Sequence, residues 1–481
     1  MMQGLSAQNI TFSYAGSDAP VLKDFSLDIS AGSITLISGA SGCGKSTVCS
    51  LFSGIYPRHG GTLERGHMLC DGQSVNEMSI AHRAALVGMM FQNPDLQFCM
   101  DTVENELIFC LENISTDPSA MPVRIAQALA FSGIEHLRHR KLHTLSGGEK
   151  QKTALACIVA LGSRYIVLDE PFANVDSQSS QMICRRLCAY QREKNATLLI
   201  VDHDLTNFID VADEVIVLGE AGKILLRGIN AENLSEYTQK LADMGISVPG
   251  IPYDAPPKNE NAAPNAILSL KDVKTGYDGA EILHGASADF MEGTITAITG
   301  ASGGGKSTLL MAMARMTAFR GRIVLNGQPI TKLSRKRYGR QLGIAFQNPQ
   351  DQFVANTVYD EIALSLHEPS ETKVRSILEP LGLWVYRNRS PYMLSQGQQR
   401  RLAVGALLAY ECKVLLCDEP TYGQDRRSAQ CIMNLLRDRV NSGALTVIFT
   451  THDVRLAKAY ADQHLLCKDG KLFAIQEENY A

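Results

Sequence analysis

Short runs of β-branched and aliphatic residues alternate with amphipathic stretches along most of the chain. The sequence reads SITLIS at 33–38, YIVLD at 165–169, TLLIV at 197–201 and EVIVLG at 214–219. Runs of this length and composition are typical of buried strands, and each is followed by a turn and a stretch with helical periodicity. Strands that alternate with helices favour a parallel sheet covered by helices, so the pattern predicts an α/β fold.

The same succession of segments occurs twice. The first-half segments 9–47, 143–161, 165–176 and 197–204 resemble the second-half segments 272–308, 392–410, 413–425 and 446–453. A repeat of roughly 230 residues is the size of a whole domain rather than of a solenoid unit. The chain is therefore predicted to be a tandem duplication of one domain, with loops of different length between the shared segments.

A proline-rich segment separates the two copies. Residues 247–264 read SVPGIPYDAPPKNENAAP and contain five prolines with little apolar periodicity. Such a composition favours an extended, semi-rigid linker. We predict a first domain at 1–235, a linker at 236–265 and a second domain at 266–481.

Composition excludes several classes of protein. The 481 residues are 45% hydrophobic and 20% charged, with a formal net charge of −4, which lacks the basic footprint of a nucleic-acid binder. No apolar run approaches the roughly 18–20 residues that span a bilayer. The N-terminal residues lack the pattern of a signal peptide, and none of the twelve cysteines forms a C-x-x-C pair. We expect a cytoplasmic protein.

Two glycine-rich loops predict phosphate binding. GASGCGKST at 39–47 and GASGGGKST at 300–308 both fit G-x-x-x-x-G-K-[ST], between a strand and a helical run. Glycines let backbone N–H groups close around phosphate oxygens, and the helix N-terminus adds partial positive charge. The lysines are predicted to hold the β- and γ-phosphates, and the first serine after each lysine to ligate Mg²⁺. The predicted nucleotide-binding residues are Gly39, Ser41, Gly42, Gly44, Lys45, Ser46 and Thr47, and Gly300, Ser302, Gly303, Gly305, Lys306, Ser307 and Thr308.

Paired carboxylates end a predicted strand in each copy, in the sequence D-E-P. Asp169 and Asp418 are predicted to bind Mg²⁺. Glu170 and Glu419 come next and are predicted to face the other way, where a carboxylate can polarise an attacking water as a general base. The alternative is a helix-capping turn without a catalytic role.

A histidine and a glutamine complete each set. His203 and His452 follow another apolar strand, at the same separation from the glutamate in both copies, which favours contact with the γ-phosphate over a core position. Gln92 and Gln347 are the second residues of the octets FQNPDLQF at 91–98 and FQNPQDQF at 346–353. A neutral amide binds Mg²⁺ or water weakly and releases it, which suits a sensor; an exposed polar loop is the alternative.

Together these motifs resemble the ATP-binding cassette family over nearly all of both halves. LSGGE at 145–149 is close to the family signature, whereas LSQGQ at 394–398 departs from it at Gln396. The resemblance implies two tandem P-loop ATPase domains, each with a mainly parallel core sheet, an antiparallel β subdomain and a helical subdomain. It implies ATP and Mg²⁺ as ligands, with Tyr14 and Tyr277 stacking on adenine.

The resemblance also implies that the two halves form an intramolecular head-to-tail pair with ATP between them. Each ATP would then contact the signature of the opposite half, either Ser395 and Gly397 or Ser146, Gly147 and Gly148. Both halves keep a glutamate and a histidine, so two competent sites are expected.

Within the family, the octets resemble those of energy-coupling-factor importers. They are followed by TVENEL at 102–107 and TVYDEI at 357–362, and PTYGQD at 420–425 fits the same group. This resemblance implies a transport ATPase at the cytoplasmic face of the plasma membrane, held there by a coupling subunit and a substrate-binding subunit, with a vitamin or metal ion as cargo. Acids near the octets could receive arginines of a membrane subunit, or could form a solvated face: Asp95, Glu104, Glu106, Asp351, Asp360 and Glu361.

Two other functions remain open at this point. One is the ATPase of an exporter, which the octets argue against. The other is a soluble tandem-cassette factor of translation or repair. Such factors usually carry long charged helical linkers or large insertions, whereas this linker is short and proline-rich. Because the net charge is negative, no nucleic-acid partner is expected.

Overall fold

The computed structural model divides into two units, and the boundary along the chain falls between Ile251 and Pro252. The structure describes residues 4–17, 19–172, 175, 177–258, 265–277, 280–443 and 445–475. Both units show the predicted alternation of strands and helices, which confirms the predicted fold class.

The first unit contains ten strands and seven helices among its described residues. In chain order they are β1 Gly4–Ser13, β2 Leu22–Ser30, β3 Ile34–Gly39, α1 Lys45–Phe52, β4 Thr62–Cys70, β5 Gln73–Ser74, α2 Ile80–Leu86, β6 Val87–Met90, α3 Val103–Asn113, α4 Met121–Ser132, α5 Gly147–Leu161, β7 Tyr165–Asp169, α6 Ser177–Lys194, β8 Thr197–Val201, β9 Glu214–Leu218, β10 Ile224–Ile229 and α7 Leu234–Asp243.

The second unit repeats this order, with a helix between its last long parallel strands. Its elements are β11 Ala266–Tyr277, β12 Ala280–Met291, β13 Ile295–Thr299, α8 Lys306–Met313, β14 Arg320–Leu325, β15 Gln328–Pro329, α9 Arg335–Gly339, β16 Leu342–Ala345, α10 Val358–Ser365, α11 Glu371–Leu378, α12 Gln396–Ala409, β17 Val414–Cys417, α13 Arg426–Asn441, β18 Thr446–Thr450, α14 Val454–Tyr460, β19 Gln463–Lys468 and β20 Lys471–Ala474.

A six-stranded sheet forms the centre of each unit. The strand order is β10-β9-β3-β8-β7-β6 in the first unit and β16-β17-β18-β13-β19-β20 in the second, parallel except for the β9–β10 and β19–β20 pairs. The strands are apolar on both faces because helices cover one face and an antiparallel four-stranded sheet lies over the other. Parallel strands place their carboxyl ends at one edge, which gathers the predicted site residues there.

Three helices form a separate layer in each unit. In the first unit α3, α4 and α5 bury an apolar cluster of their own, and in the second α10, α11 and α12 do the same. In both units the octet comes just after the strand that leads into this layer, at the carboxyl end of β6 or β16. The octet thus joins the central sheet to the helical layer.

The segment expected to be a linker is folded over much of its length. Helix α7 runs across the predicted start of the linker, and Leu241, Ile246 and Val248 are fully buried in the core of the first unit. Tyr253 is buried in the core of the second unit, where its hydroxyl donates to Asp453 at 3.0 Å. Proline content alone did not indicate this, because isolated apolar residues without periodicity can still fill core positions.

Among the described residues, no helix has the length and apolar character that crossing a membrane requires.

Candidate active site

The glycine-rich loops fold tightly around their own lysines. Gly39 ends β3 with φ 147°, and a Cβ there would lie 2.3 Å from the carbonyl oxygen of Leu218, so only glycine fits. Lys45 begins α1, and its Nζ donates to the carbonyls of Gly39 at 2.7 Å and Ala40 at 3.0 Å. The ammonium group is thereby held in the loop, at the N-terminus of a helix.

The second unit repeats this geometry. Lys306 begins α8, and its Nζ donates to the carbonyls of Gly300 at 2.8 Å and Ala301 at 3.1 Å. Gly305 precedes the helix with φ 95°, as Gly44 does in the first unit with φ 103°. Both loops therefore hold a cation at a helix N-terminus, a combination suited to a polyanion. Phosphate binding by these residues stays a prediction.

The predicted metal-binding aspartates are buried beside the loop serines. Asp169 ends β7 and hydrogen-bonds Ser46, while one of its oxygens, Oδ1, has no hydrogen-bond partner in the described part of the chain. Burial raises the pKa of this carboxyl group to about 7. In the second unit Asp418 hydrogen-bonds Ser307, and burial likewise raises its pKa. An unsatisfied buried oxygen is costly unless a ligand completes it.

These residues fit a magnesium ion. Mg²⁺ prefers hard oxygen ligands and is usually held by one or two carboxylates together with substrate phosphates. A buried carboxylate next to the serine of a phosphate loop supplies such a set. No cluster of three or more histidine, cysteine or acidic side chains suited to a metal occurs in the described ranges.

The predicted catalytic glutamates adopt a left-handed backbone conformation. Glu170 has φ 47° and Glu419 has φ 51°, a region that non-glycine residues seldom occupy. The same unusual conformation occurs in both units. Residues held in such conformations often belong to functional sites.

Each glutamate is paired with the predicted histidine. Nδ1 of His203 lies 3.4 Å from a carboxylate oxygen of Glu170, and Nδ1 of His452 lies 3.0 Å from one of Glu419. The sequence placed these residues in the same site but did not predict the ion pair.

The pairing fixes the charge of both partners. Burial alone would raise the pKa of Glu170, but the charge and hydrogen bond of His203 lower it below the usual range. Burial opposes protonation of His203, yet Glu170 raises the pKa of this histidine to about 9. The Glu419 pKa is lowered and the His452 pKa is raised for the same reasons. At neutral pH the first pair is therefore a carboxylate and an imidazolium, and the pKa values of the second pair are shifted in the same directions.

The octet glutamines also lie at this site. Nε2 of Gln92 donates to the other carboxylate oxygen of Glu170 at 2.6 Å. In the second unit the backbone carbonyl of Gln347 accepts a bond from Arg400 at 2.6 Å. The amide of Gln92 thus joins the octet to the glutamate directly, an arrangement that the octet sequence alone did not reveal.

The signature serines cap the helices that follow them. The hydroxyl of Ser146 accepts the backbone N–H of Glu149 at 3.4 Å, and that of Ser395 accepts the N–H of Gln398 at 3.3 Å. Both caps are reciprocal, since the side chain at the third helical position accepts the serine N–H. Gly147, Gly148 and Gly397 lie in the first helical turns, and Gln396 is exposed at the first position of α12.

The predicted adenine-stacking tyrosines are only partly described. The hydroxyl of Tyr14 lies 2.7 Å from that of Thr47 in the phosphate loop, and its ring packs edge-on against Phe12 and Tyr56. A partly exposed ring beside the phosphate loop is compatible with stacking, which stays a prediction. The side chain of Tyr277 lies outside what the structure describes.

For two of the acids near the octets, the predicted contact with a membrane subunit is wrong. Glu106 is 2% exposed and Glu361 is 4% exposed, and each accepts two backbone N–H groups from the loop before its helix. Both carboxylates therefore hold a loop in place and are not available to a partner. Acidic residues within the same helical turn look alike in sequence, and only the packing separates the buried one from the exposed one.

The remaining acids are accessible. Asp95 is largely exposed and pairs with Lys150 at 2.7 Å, while Glu104 pairs with Arg138 and is partly exposed. Asp351 and Asp360 are exposed near the second octet. These four acids keep the predicted role as a hypothesis.

Two side chains at the site were not found from sequence. Thr450 bonds both acids of the second D-E-P sequence, and Arg400 bonds the carbonyl of Glu419. An internal signal exists for both, because the corresponding residues of the first half are Val201 and Gln151. Comparing the two copies position by position would have marked them as differences.

Comparison with known proteins agrees with this geometry. The sequence matches the ABC transporter family at residues 22–173 and 283–422. YkoD of Bacillus subtilis (strain 168), to which a role as an HMP/thiamine import ATP-binding protein is provisionally assigned, is 34% identical over 97% of this chain and 90% of its own length. An ABC transporter ATP-binding protein of Methanosarcina mazei, also provisionally assigned, is 33% identical over 97% of this chain and 87% of its own length.

A solved structure shares the tandem fold. The archaeal ribosome recycling factor aABCE1, in complex with the ribosomal stalk protein aP1, aligns with a TM-score of 0.66 over 97% of this chain and 90% of that chain, at 18% identity. A sequence identity this low supports a shared fold and nothing further. Sequence and geometry together place the chain in the ABC transporter family, with two of its ATP-binding domains in tandem.

Proposed function

We propose that this chain is the ATP-hydrolysing motor of an energy-coupling-factor importer for a vitamin or a metal ion. Its membrane partners are a coupling subunit and a substrate-binding subunit, which hold it at the cytoplasmic face of the plasma membrane. The observation that carries the proposal is the duplicated set of phosphate-loop lysine, buried aspartate and glutamate–histidine pair.

The residues of each set divide the work of hydrolysis. Lys45 and Lys306 bind the β- and γ-phosphates. Glu170 and Glu419 are ionised and orient and polarise the attacking water. The protonated histidines donate to the γ-phosphate when ATP displaces them from their glutamates. The hydrogen bond between Gln92 and Glu170 lets the octet respond to the state of that site.

Magnesium would be held by the loop serine, the buried aspartate and the octet glutamine. These are Ser46, Asp169 and Gln92 in the first half and Ser307, Asp418 and Gln347 in the second. When bound, Mg²⁺ neutralises negative charge on the β- and γ-phosphates.

Each ATP is proposed to contact both halves. ATP on the Lys45 set also binds Ser395 and Gly397, and ATP on the Lys306 set also binds Ser146 and Gly148. Support comes from the family relationship and from the capped signature helices, whose first-turn N–H groups suit an anion. Binding would then hold the halves together and hydrolysis would release them.

Two features favour an importer. The octets begin short turns capped by Asn93 and Asn348, which lead from the ATP site into the helical layer. In addition, the relative YkoD is provisionally assigned to import.

Co-purification tests the proposal. The tagged chain is expressed in its own source organism, the membranes are solubilised, and the captured membrane proteins are identified by mass spectrometry. We expect wild type to retain a small set of membrane subunits, and Asp95→Arg with Asp351→Arg to lose at least half of them, because opposite charge is replaced by like charge.

The matched control is Glu232→Arg with Glu292→Arg, which makes the same charge change at exposed acids away from the octets. Equal capture by both double variants would contradict the role of the octet acids. Capture of ribosomes without membrane proteins would contradict the importer proposal itself.

A further inference from the structure

A buried arginine connects three parts of the second-half site. Arg400 lies one turn into α12, five residues after the signature Ser395, and is 7% exposed. Its Nη1 donates to the backbone carbonyl of Glu419, and its Nη2 donates to that of Gln347 at 2.6 Å. The guanidinium group also lies 5.0 Å from the ring centre of Tyr422.

Burying a cation at this position costs desolvation free energy. Burial lowers the pKa of Arg400 to about 10, so the guanidinium keeps its charge at neutral pH although it has left water. These two hydrogen bonds go to neutral carbonyls. Buried charge is a poor source of stability, and a core usually tolerates an apolar residue in its place. A planar fork with two aligned donors is, however, well suited to fixing two carbonyls relative to each other.

The two carbonyls belong to residues whose positions matter. Glu419 has a left-handed backbone with φ 51°, so the direction of its carboxylate depends on how its peptide groups are held. Gln347 is the second residue of the octet. A displacement of the octet would therefore have to break a bond to the cation that also holds the glutamate.

The first half is built differently at the same place. Five residues after its signature serine it carries Gln151, which is buried. There the side chain of Gln92 reaches the glutamate and donates to Glu170 at 2.6 Å. In the first half the side chain of Gln92 bonds the glutamate directly, and Gln151 stands where the second half has the arginine that bonds both backbone carbonyls.

We propose that Arg400 is a positioning residue for ATP hydrolysis in the second half, holding Glu419, the octet and the signature helix as one rigid group. The inference rests on the proposed ATPase function. Arg400 does not touch the nucleotide in this account and acts through Glu419. Its loss should therefore slow the chemical step more than it weakens nucleotide binding.

The first experiment measures kcat and KM for ATP in the full-length chain carrying Glu170→Gln. The remaining ATPase activity then depends on the second-half glutamate, Glu419. In that background Arg400→Gln is expected to lower kcat by about 10- to 100-fold, because small misplacements of catalytic groups have effects of this size. KM should change by less than about threefold. Arg400→Lys keeps the charge without the planar fork and should recover part of the loss.

The matched control is Arg401→Gln. Arg401 is the next residue of α12 and donates to Ser428 at 3.0 Å, so it contacts a neighbouring helix and neither carbonyl. We expect kcat within twofold of the background. Equal losses of kcat in Arg400→Gln and Arg401→Gln would overturn the proposal, since both arginines would then only support helix packing.

A second measurement does not depend on activity. Hydrogen–deuterium exchange of nucleotide-free full-length chain should be faster in Arg400→Gln over peptides that cover 346–353 and 417–424, and unchanged over the first octet at 91–98. Unchanged exchange at both second-half peptides would overturn the inference. Absence of ATPase activity in wild type would contradict the proposed function instead, and the exchange result would then decide the positioning role by itself.

Discussion

The two halves carry the same reacting groups but hold them differently. In the second half the hydroxyl of Thr450 donates to Asp418 at 2.6 Å and accepts the backbone N–H of Glu419 at 2.9 Å. One hydroxyl thereby fixes both acids of the D-E-P sequence. The corresponding residue of the first half is Val201, and there Oδ1 of Asp169 has no hydrogen-bond partner in the described part of the chain.

A second difference lies next to the histidines. Asp202 precedes His203 and is buried, and burial raises the pKa of its carboxyl group to about 7. Thr451 takes this place before His452. In both halves the side chain accepts the N–H of the residue after the histidine, at 2.9 Å and 3.0 Å. Both halves thus keep the same turn, although the accepting group is a carboxylate in the first half and a hydroxyl in the second.

The duplicated chain thus keeps the side chains that are expected to contact ATP and varies the side chains that support them. Thr450 and Arg400 support the acids of the second half, and Val201 and Gln151 occupy the corresponding positions of the first half. We expect two working sites that differ in how strongly their geometry is fixed before ATP arrives.

The largest expected effect comes from the glutamates. Glu170→Gln with Glu419→Gln should lower steady-state ATPase activity by at least about 100-fold, because an amide can neither accept a proton nor pair with an imidazolium as a carboxylate does. Each single variant should keep a substantial part of the rate. A single substitution that leaves the rate intact would show that the other site does all the work, and the expectation of two competent sites would fail.

An intermediate effect on stability and hydrolysis is expected when Thr450 is replaced. Thr450→Val leaves a buried oxygen of Asp418 unsatisfied and should cost about 1–3 kcal/mol of unfolding free energy. In the Glu170→Gln background it should also slow hydrolysis severalfold. Val201→Thr is the matched reverse change, and its hydroxyl can donate to the unsatisfied oxygen of Asp169, so its stability should stay equal or rise. Chemical denaturation of both variants checks this, and equal destabilisation would refute the asymmetry.

The smallest effect is expected in the second signature. Gln396→Gly restores the family sequence at an exposed first-turn position and should change the ATPase rate by less than about twofold, since glycine at one helical position alters stability by no more than roughly 1 kcal/mol. The ATPase rate is measured in the Glu419→Gln background, where the remaining activity depends on the first-half glutamate, Glu170. A rate increase of fivefold or more would mean that Gln396 weakens the proposed site. Gly147→Gln supplies the reverse substitution in the other signature.

Much of the fold followed from sequence because it rests on local patterns. Apolar runs of strand length, two glycine-rich loops and the repeated order of segments predicted tandem α/β domains, and the structure has them. Placement at the carboxyl ends of parallel strands then gathered lysine, aspartate, glutamate and histidine at one edge. Burial of Glu106 and Glu361 did not follow, because their fate depends on which helical face meets the loop before it.

The residue types expected at each site, and their duplication, follow from the amino-acid sequence alone. Their connections depend on the three-dimensional fold. Hydrogen bonds such as Gln92 to Glu170 and Arg400 to Glu419 join residues far apart in the chain, and their direction depends on backbone angles near φ 50° that no local pattern specifies. The packing of Tyr253 into the second unit is decided in the same way, since an isolated apolar residue becomes core only when a complementary surface lies within reach.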